Sequence, residues 1–192
     1  MDQPVTNGLL FIPDISGFTG FVSTTDTMTG QRITCELLSA IIAQNNLQLK
    51  IAEIEGDAIL FYRYGAAPAV SQLQQQFRTM ATAFEQKRME LEQESGRPLR
   101  LALKIIAHYG PMTEFRIGPF QKLYGEVVIE AHRLLKNTIS SNSYLLLTDS
   151  LLHAAGSSAE ATHHSSRICE VYGSLRNICF TYYDLYPEQQ VA

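Results

Sequence analysis

Apolar positions along the chain change period several times, and the order of those periods predicts the architecture. Residues 8–15 are almost continuously apolar and read as a buried strand that ends in an acid, Pro13-Asp14-Ile15. Ser23-Thr24-Thr25-Asp26 is polar and turn-like. Ile33, Leu37, Leu38, Ile41 and Ile42 then recur at helical spacing, which predicts a helix near 29–45. Residues 47–55 and 58–64 read as two strands around Gly56-Asp57, a dipeptide suited to a tight hairpin. Val70, Leu73, Phe77, Met80, Phe84 and Leu91 mark a long amphipathic helix over about 68–95, stopped by Gly96 and Pro98.

Beyond that helix, Leu99, Leu101, Leu103 and Ile105 alternate with Arg100, Lys104 and His108, the pattern of a strand with one apolar face. Tyr109-Gly110-Pro111 is expected to break it, with a second short extended segment at 112–118. Gly125 opens a helix with Val127, Val128, Ala131, Leu134 and Leu135 inward, ending near Lys136-Asn137. A strand at Tyr144–Leu147, a short helix from Thr148 or Asp149, and a strand pair at 168–171 and 178–185 complete the order. This β-α-β-β-α-β core predicts an α+β, ferredoxin-like fold: a mixed, mostly antiparallel sheet with helices on one face, in a single domain over 1–192.

Composition narrows the functional classes. A net charge of −4 gives no bulk attraction to nucleic acid or acidic membranes. No run reaches the length of a membrane span, and the polar Met1-Asp2-Gln3-Pro4 start does not resemble a signal peptide. Cys35, Cys169 and Cys179 are odd in number and lack metal-type spacing, so they read as reduced core residues of a cytoplasmic protein.

Two acidic motifs carry the candidate chemistry. In Asp14-Ile15-Ser16-Gly17-Phe18-Thr19, the glycine permits a sharp turn, so that the amides of Gly17, Phe18 and Thr19 would share space with the Asp14 carboxylate. The alternative is that Asp14 only caps the turn and the following helix. In Glu53-Ile54-Glu55-Gly56-Asp57, alternation places Glu53 and Glu55 on one face with Asp57. Three like charges there need a cation or a basic neighbour, or else form a solvated acidic hairpin.

These motifs resemble those of the class III adenylyl and guanylyl cyclase domain. Asp14, Ile15, Gly17, Phe18 and Thr19 match its Phe-x-Asp-Ile-x-Gly-Phe-Thr motif, with Ile12 in place of the Phe. Glu53, Gly56 and Asp57 are similar to its Lys/Glu-x-x-Gly-Asp motif, and His108-Tyr109-Gly110 to its His-x-Gly strand end. Tyr124 to Leu134 resembles its aromatic-Gly-x-x-Val-Asn-x-Ala-x-Arg helix. The likeness implies a head-to-tail homodimer binding a nucleotide or another phosphorylated molecule, with Mg²⁺ or Mn²⁺ on Asp14 and Asp57. It implies a phosphate cradle at Gly17–Thr19, base contacts at Glu53 and Lys122, and a transition-state arginine at Arg133.

The departures from that pattern are specific. The ribose-positioning asparagine falls on Ile129, the second base contact on Lys122, and the triphosphate lysine near Tyr172, with Arg176 close by. Each lost group costs about 10²–10³ in rate. Gly125 to Asn137 fits more closely an uncharacterised bacterial branch with a Gly-x-x-Val-Ile-x-Ala-His-Arg-Leu-Leu-Lys-Asn helix. The sequence therefore favours a ligand-binding or regulatory domain with weak or no cyclase activity. The alternatives are an active cyclase using Lys122, Arg176 or Glu130, and a dimerisation module. A salt-bridged helix face of Glu126, Glu130 and Arg133 competes with a ligand-facing Arg133. His132 reads as a surface or interface residue, and His163-His164 as a loop without metal. The late tyrosines 172, 182, 183 and 186 read as core-edge or interface residues.

Overall fold

The computed structural model describes residues 4–157, 165–171 and 177–185. The chain runs β1 (Thr6–Ser16), α1 (Phe18–Thr24), α2 (Thr27–Ala43), β2 (Lys50–Glu55), β3 (Ala58–Tyr64) and α3 (Val70–Ser95). It continues with β4 (Ala102–Ile117), β5 (Phe120–Tyr124), α4 (Glu126–Leu134), β6 (Tyr144–Thr148), α5 (Asp149–Ala154), β7 (Ser165–Val171) and β8 (Asn177–Asp184). The eight described strands form one mixed sheet in the order β2-β3-β1-β4-β6-β8-β7, with β5 hairpinned onto β4. Only the β4–β6 pair is parallel; the other described pairs are antiparallel. This is the α+β class that the order of periods predicts.

The helices cover both faces of the sheet, not one. Leu9, Phe11 and Ile15 of β1 point into a core built with Ile33, Leu37 and Ile41 of α2 and Leu73, Phe77, Met80 and Phe84 of α3. Leu10 and Ile12 point the other way, into a second core with Val127, Ala131 and Leu134 of α4. A strand buried on both faces reads as a continuous apolar run, and residues 8–15 have that character for this reason. The side-chain period of two then settles where Asp14 goes: it shares the α4 face with Leu10 and Ile12.

Two local expectations are overturned. β4 runs unbroken through Gly110-Pro111, where Pro111 pairs with Asn7 across β1. Proline removes one ladder donor, and the second neighbour β6 covers only Ile105–Ala107, so the rest of that edge needs no donor for it. The turn-like Ser23-Thr24 belongs to the end of α1, and Asp26 caps α2 by accepting the Thr29 N–H at 3.0 Å. Among the described residues no helix is long and apolar enough to cross a membrane.

Candidate functional site

Asp14 lies at the end of β1 directly opposite Lys104 of β4 and Ala58 of β3. Asp57 occupies the two-residue turn that joins Glu55 to Ala58, with Gly56 at φ +60, a conformation glycine adopts without penalty. The hairpin therefore delivers Asp57 beside the Asp14 strand end. The two carboxyl groups interact: burial first, then the negative charge of Asp14, push the Asp57 carboxyl up to about 6. Lys104 acts in the opposite direction. Its ammonium lies 3.0 Å from Asp14 Oδ2 and also donates to the Leu135 carbonyl at the end of α4, at 3.1 Å.

A cavity of about 430 Å³ opens over the pair. Asp14, Asp57, Glu53 and Glu55 supply its acidic wall, and His132 of α4 and Lys136 just past the end of α4 its basic one. Alternation explains the acids: Glu53 stands opposite Leu60 and Glu55 opposite Ala58, on the face that α4 covers. Glu53 is not free within this cavity. Lys122 of β5 donates to Glu53 Oε2, and His132 Nε2 lies 3.8 Å from Glu53 Oε1. The pair holds the Lys122 ammonium above its ordinary range, chiefly through that hydrogen bond. The two positions that the cyclase resemblance assigns to base contact thus contact each other.

The other expected residues sit elsewhere. Gly17 starts α1 at φ +85, and the Arg100 carbonyl oxygen lies 2.4 Å from where a Cβ would stand, so the position requires glycine. Gly17 lines a different cleft, Phe18 packs against the α2–α3 core, and Thr19 is exposed. Arg133 is exposed on α4, one residue from the cavity-lining His132. Ile129 is also exposed. Tyr172, Arg176, His163, His164 and Tyr186 lie outside the described residues.

The expected salt-bridged face of Glu126, Glu130 and Arg133 does not describe Glu130, which is wholly buried. His108 Nε2 lies 2.8 Å from Glu130 Oε2, and His108 Nδ1 lies 2.8 Å from Thr148 Oγ1. This polar cluster ties β4, α4 and β6 together inside the apolar interior. Sequence reasoning missed it, as it missed Lys104 and Lys136. A signal existed in the strand itself: Lys104 and His108 are polar residues four apart on one face of β4, at the two ends of the stretch that pairs with strands on both sides.

The cysteines also differ from expectation. Cys169 and Cys179 are direct cross-strand partners in the β7–β8 hairpin and form a disulfide, while Cys35 is an exposed thiol and not a core residue. Sequence spacing misses the bond because hairpin register, not separation along the chain, brings the two sulfurs together.

Among the described residues no cluster of three or more His, Cys, Asp or Glu side chains forms a metal cage. Two carboxylates are nevertheless a sufficient protein contribution for Mg²⁺ or Mn²⁺, hard cations commonly held by one or two acids together with substrate phosphates. Burial first and the Asp14 charge second push the Asp57 carboxyl up, and a divalent cation would relieve the second of these. The oxygen donor set fits such an ion, with Lys104 as its competitor for Asp14.

The whole architecture is similar to solved cyclase domains. The guanylyl cyclase Cya2 superimposes with a TM-score of 0.75 at 15% identity, covering 100% of this chain and 98% of that one. The adenylyl cyclase CyaB from P. aeruginosa gives 0.62 at 13% identity, with 100% of both chains covered. The guanylate cyclase domain of RhGC from Catenaria anguillulae, solved in complex with GTP, gives 0.63 at 16% identity, covering 93% of this chain and 96% of that one. By sequence, the "Uncharacterized protein Rv2561/Rv2562" of Mycobacterium tuberculosis (strain ATCC 25618 / H37Rv) is 32% identical over 111 residues, 53% of this chain. The chain spans about half the length of that curated relative, 50% of which is matched. The family described as "Protein of unknown function (DUF2652)" matches residues 34–144. The chain therefore belongs to the DUF2652 family, and it has the fold of a class III nucleotidyl cyclase domain.

Proposed function

We propose that this chain is a divergent cyclase-like domain that binds a nucleotide or another phosphorylated ligand over Asp14 and Asp57, with weak or no cyclase activity. The observation that carries the reading is the convergence of the two carboxyl groups in one cavity with Lys104 behind them. Asp14 and Asp57 would hold Mg²⁺ or Mn²⁺, which would neutralise ligand phosphate charge when bound. Lys104 orients Asp14 and holds part of its negative charge in the absence of ligand. His132 and Lys136 place donors on the opposite wall, where phosphate oxygens would face them.

Weak turnover follows from how the substitute residues are engaged. Glu130 is sealed against His108, and Lys122 is paired with Glu53. A base entering this pocket must first separate Glu53 from Lys122, so nucleotide selectivity rests on that exchange. Gly17–Thr19 remain the proposed phosphate cradle and Arg133 the proposed transition-state arginine. Both would reach a ligand only across an assembled site.

A homodimer supplies such an assembly. Ile117 and Phe120, 63% and 68% exposed, stand at the tip of the β4–β5 hairpin, with Tyr124 and Ile129 also exposed. Exposed large apolar side chains on the β4–β5 hairpin and on the start of α4 favour burial against a second copy.

Calorimetric titration of GTP and of ATP in Mn²⁺ tests the binding reading. Saturable binding is expected in the wild type and its loss in Asp57→Asn. Absence of any binding by the wild type with Mn²⁺ present sinks it. Formation of cyclic nucleotide together with pyrophosphate at high protein concentration would instead establish the active-cyclase reading.

A further inference from the structure

A second cavity, about 650 Å³, lies on the α2–α3 side of the sheet, away from the carboxylates. Phe21, Ile33 and Leu99 give it an apolar floor. Its rim carries three arginines, Arg32, Arg97 and Arg100, against a single acid, Asp26.

The partners of these groups leave two of the three guanidinium groups without an ion pair among the described residues. Arg32 is engaged by Glu36 at 2.9 Å and Glu94 at 3.1 Å. Asp26 caps α2 through the Thr29 N–H, which holds its carboxyl below the usual range. Arg97 and Arg100 have no acceptor among the described residues, although Glu92 and Glu94 are near in sequence. Glu92 is turned inward to Arg88 and the Leu99 amide. Two guanidinium forks at the mouth of an apolar-floored cleft match an oxyanion carried on an apolar body. The volume is in the range of small-molecule sites.

We propose that this cleft binds a small amphipathic oxyanion, a phosphorylated or carboxylated molecule with an apolar or aromatic body, on Arg97 and Arg100. The apolar body rests on Phe21, Ile33 and Leu99. The Arg100 backbone is packed against Gly17, three residues after Asp14, so the occupied cleft abuts the turn that leaves the carboxylate strand. The proposal does not rest on the nucleotide reading, because the two cavities lie on opposite faces of the sheet and this one needs no metal.

The test is an NMR titration of the ¹⁵N-labelled full chain in EDTA, with phenyl phosphate, benzoate, inorganic phosphate and benzyl alcohol as probes. Saturable shifts are expected at Gly20, Thr25, Thr29 and Arg97 with the first two probes. Inorganic phosphate should bind more weakly and benzyl alcohol should not saturate. Arg97→Gln and Arg100→Gln should each weaken phenyl phosphate binding about tenfold. Arg100→Lys should lose less, and Asp57→Asn nothing. A preference for phenyl phosphate over benzoate identifies the phosphorylated class, and the reverse the carboxylated one. Both arginine variants lie on the surface, and their spectra report directly whether they fold. Equal binding of benzyl alcohol, shifts confined to Asp57 and His132, unchanged affinity in both Gln variants, or no saturable shift with any probe would each overturn the proposal.

Discussion

Lys104 Nζ lies 3.0 Å from Asp14 Oδ2, directly across the β1–β4 ladder. The acid at the strand end therefore comes paired with a cation from the neighbouring strand, while burial raises the proton affinity of the acid in the hairpin turn. The arrangement assigns different roles to two residues that look equivalent in sequence.

Asp57 makes stability depend on pH in a definite direction. Its folded-state value, about 6, is above the ordinary 3.8, so the folded state holds a proton that the unfolded chain releases. The associated stability is fully present below about pH 4 and lost as pH rises through about 6. Asp57→Asn removes this dependence. Urea denaturation between pH 4 and 8 should show the variant more stable than the wild type above pH 6, the difference vanishing near pH 4. Partial exposure of the carboxyl limits its size.

Lys104→Met removes the cation that pairs with Asp14. Asp57 loses the neighbour that lowers its proton affinity, and Asp14 loses its partner. The variant should be destabilised more at pH 8 than at pH 5, and Mn²⁺ should recover more of its melting temperature than it adds to the wild type. Equal destabilisation at both pH values would show that Lys104 contributes through packing alone.

The His108–Glu130 pair is a different case, because both side chains are sealed from water. Glu130→Ala removes the carboxylate partner of the buried His108 Nε2 and leaves an unfilled position in the core. A loss of about 3–5 kcal/mol is expected in chemical denaturation. Glu130→Gln keeps the shape and one hydrogen-bonding oxygen, and should lose clearly less.

The Cys169–Cys179 disulfide closes a hairpin, with a sequence separation of 10. Alkylation of the denatured, unreduced protein should label Cys35 alone, and alkylation after reduction all three cysteines. Reduction should lower stability by about 2–3 kcal/mol. Three labelled cysteines without reductant would show that the isolated protein carries the pair as thiols.

Much of the fold was legible because the information is local. The helical spacing of Ile33, Leu37 and Ile41 and the alternation of Leu101, Leu103 and Ile105 report one-sided burial, whatever covers that side. Pro111 misleads because a proline is judged against an average strand, whereas β4 meets β6 over three residues only. The helices of both faces were placed on one because periodicity identifies a buried stripe and not the layer that buries it. The candidate site was half legible for the same reason. The acids at 14 and 57 stand out as polar interruptions of apolar runs, but nothing near Glu53 in sequence announces Lys122, 69 residues away.

The sequence by itself determined the element types, the α+β class and the positions of Asp14 and Asp57 at a strand end and a two-residue turn. Those properties follow from side-chain periods and backbone preferences acting over a few residues. Tertiary structure alone decided that Lys104 neutralises Asp14, that Glu53 meets Lys122, that Glu130 is buried on His108, and that Arg97 and Arg100 border an apolar-floored cleft. Each of these depends on strand register or helix docking, which bring together residues remote along the chain and set the burial that governs their charge.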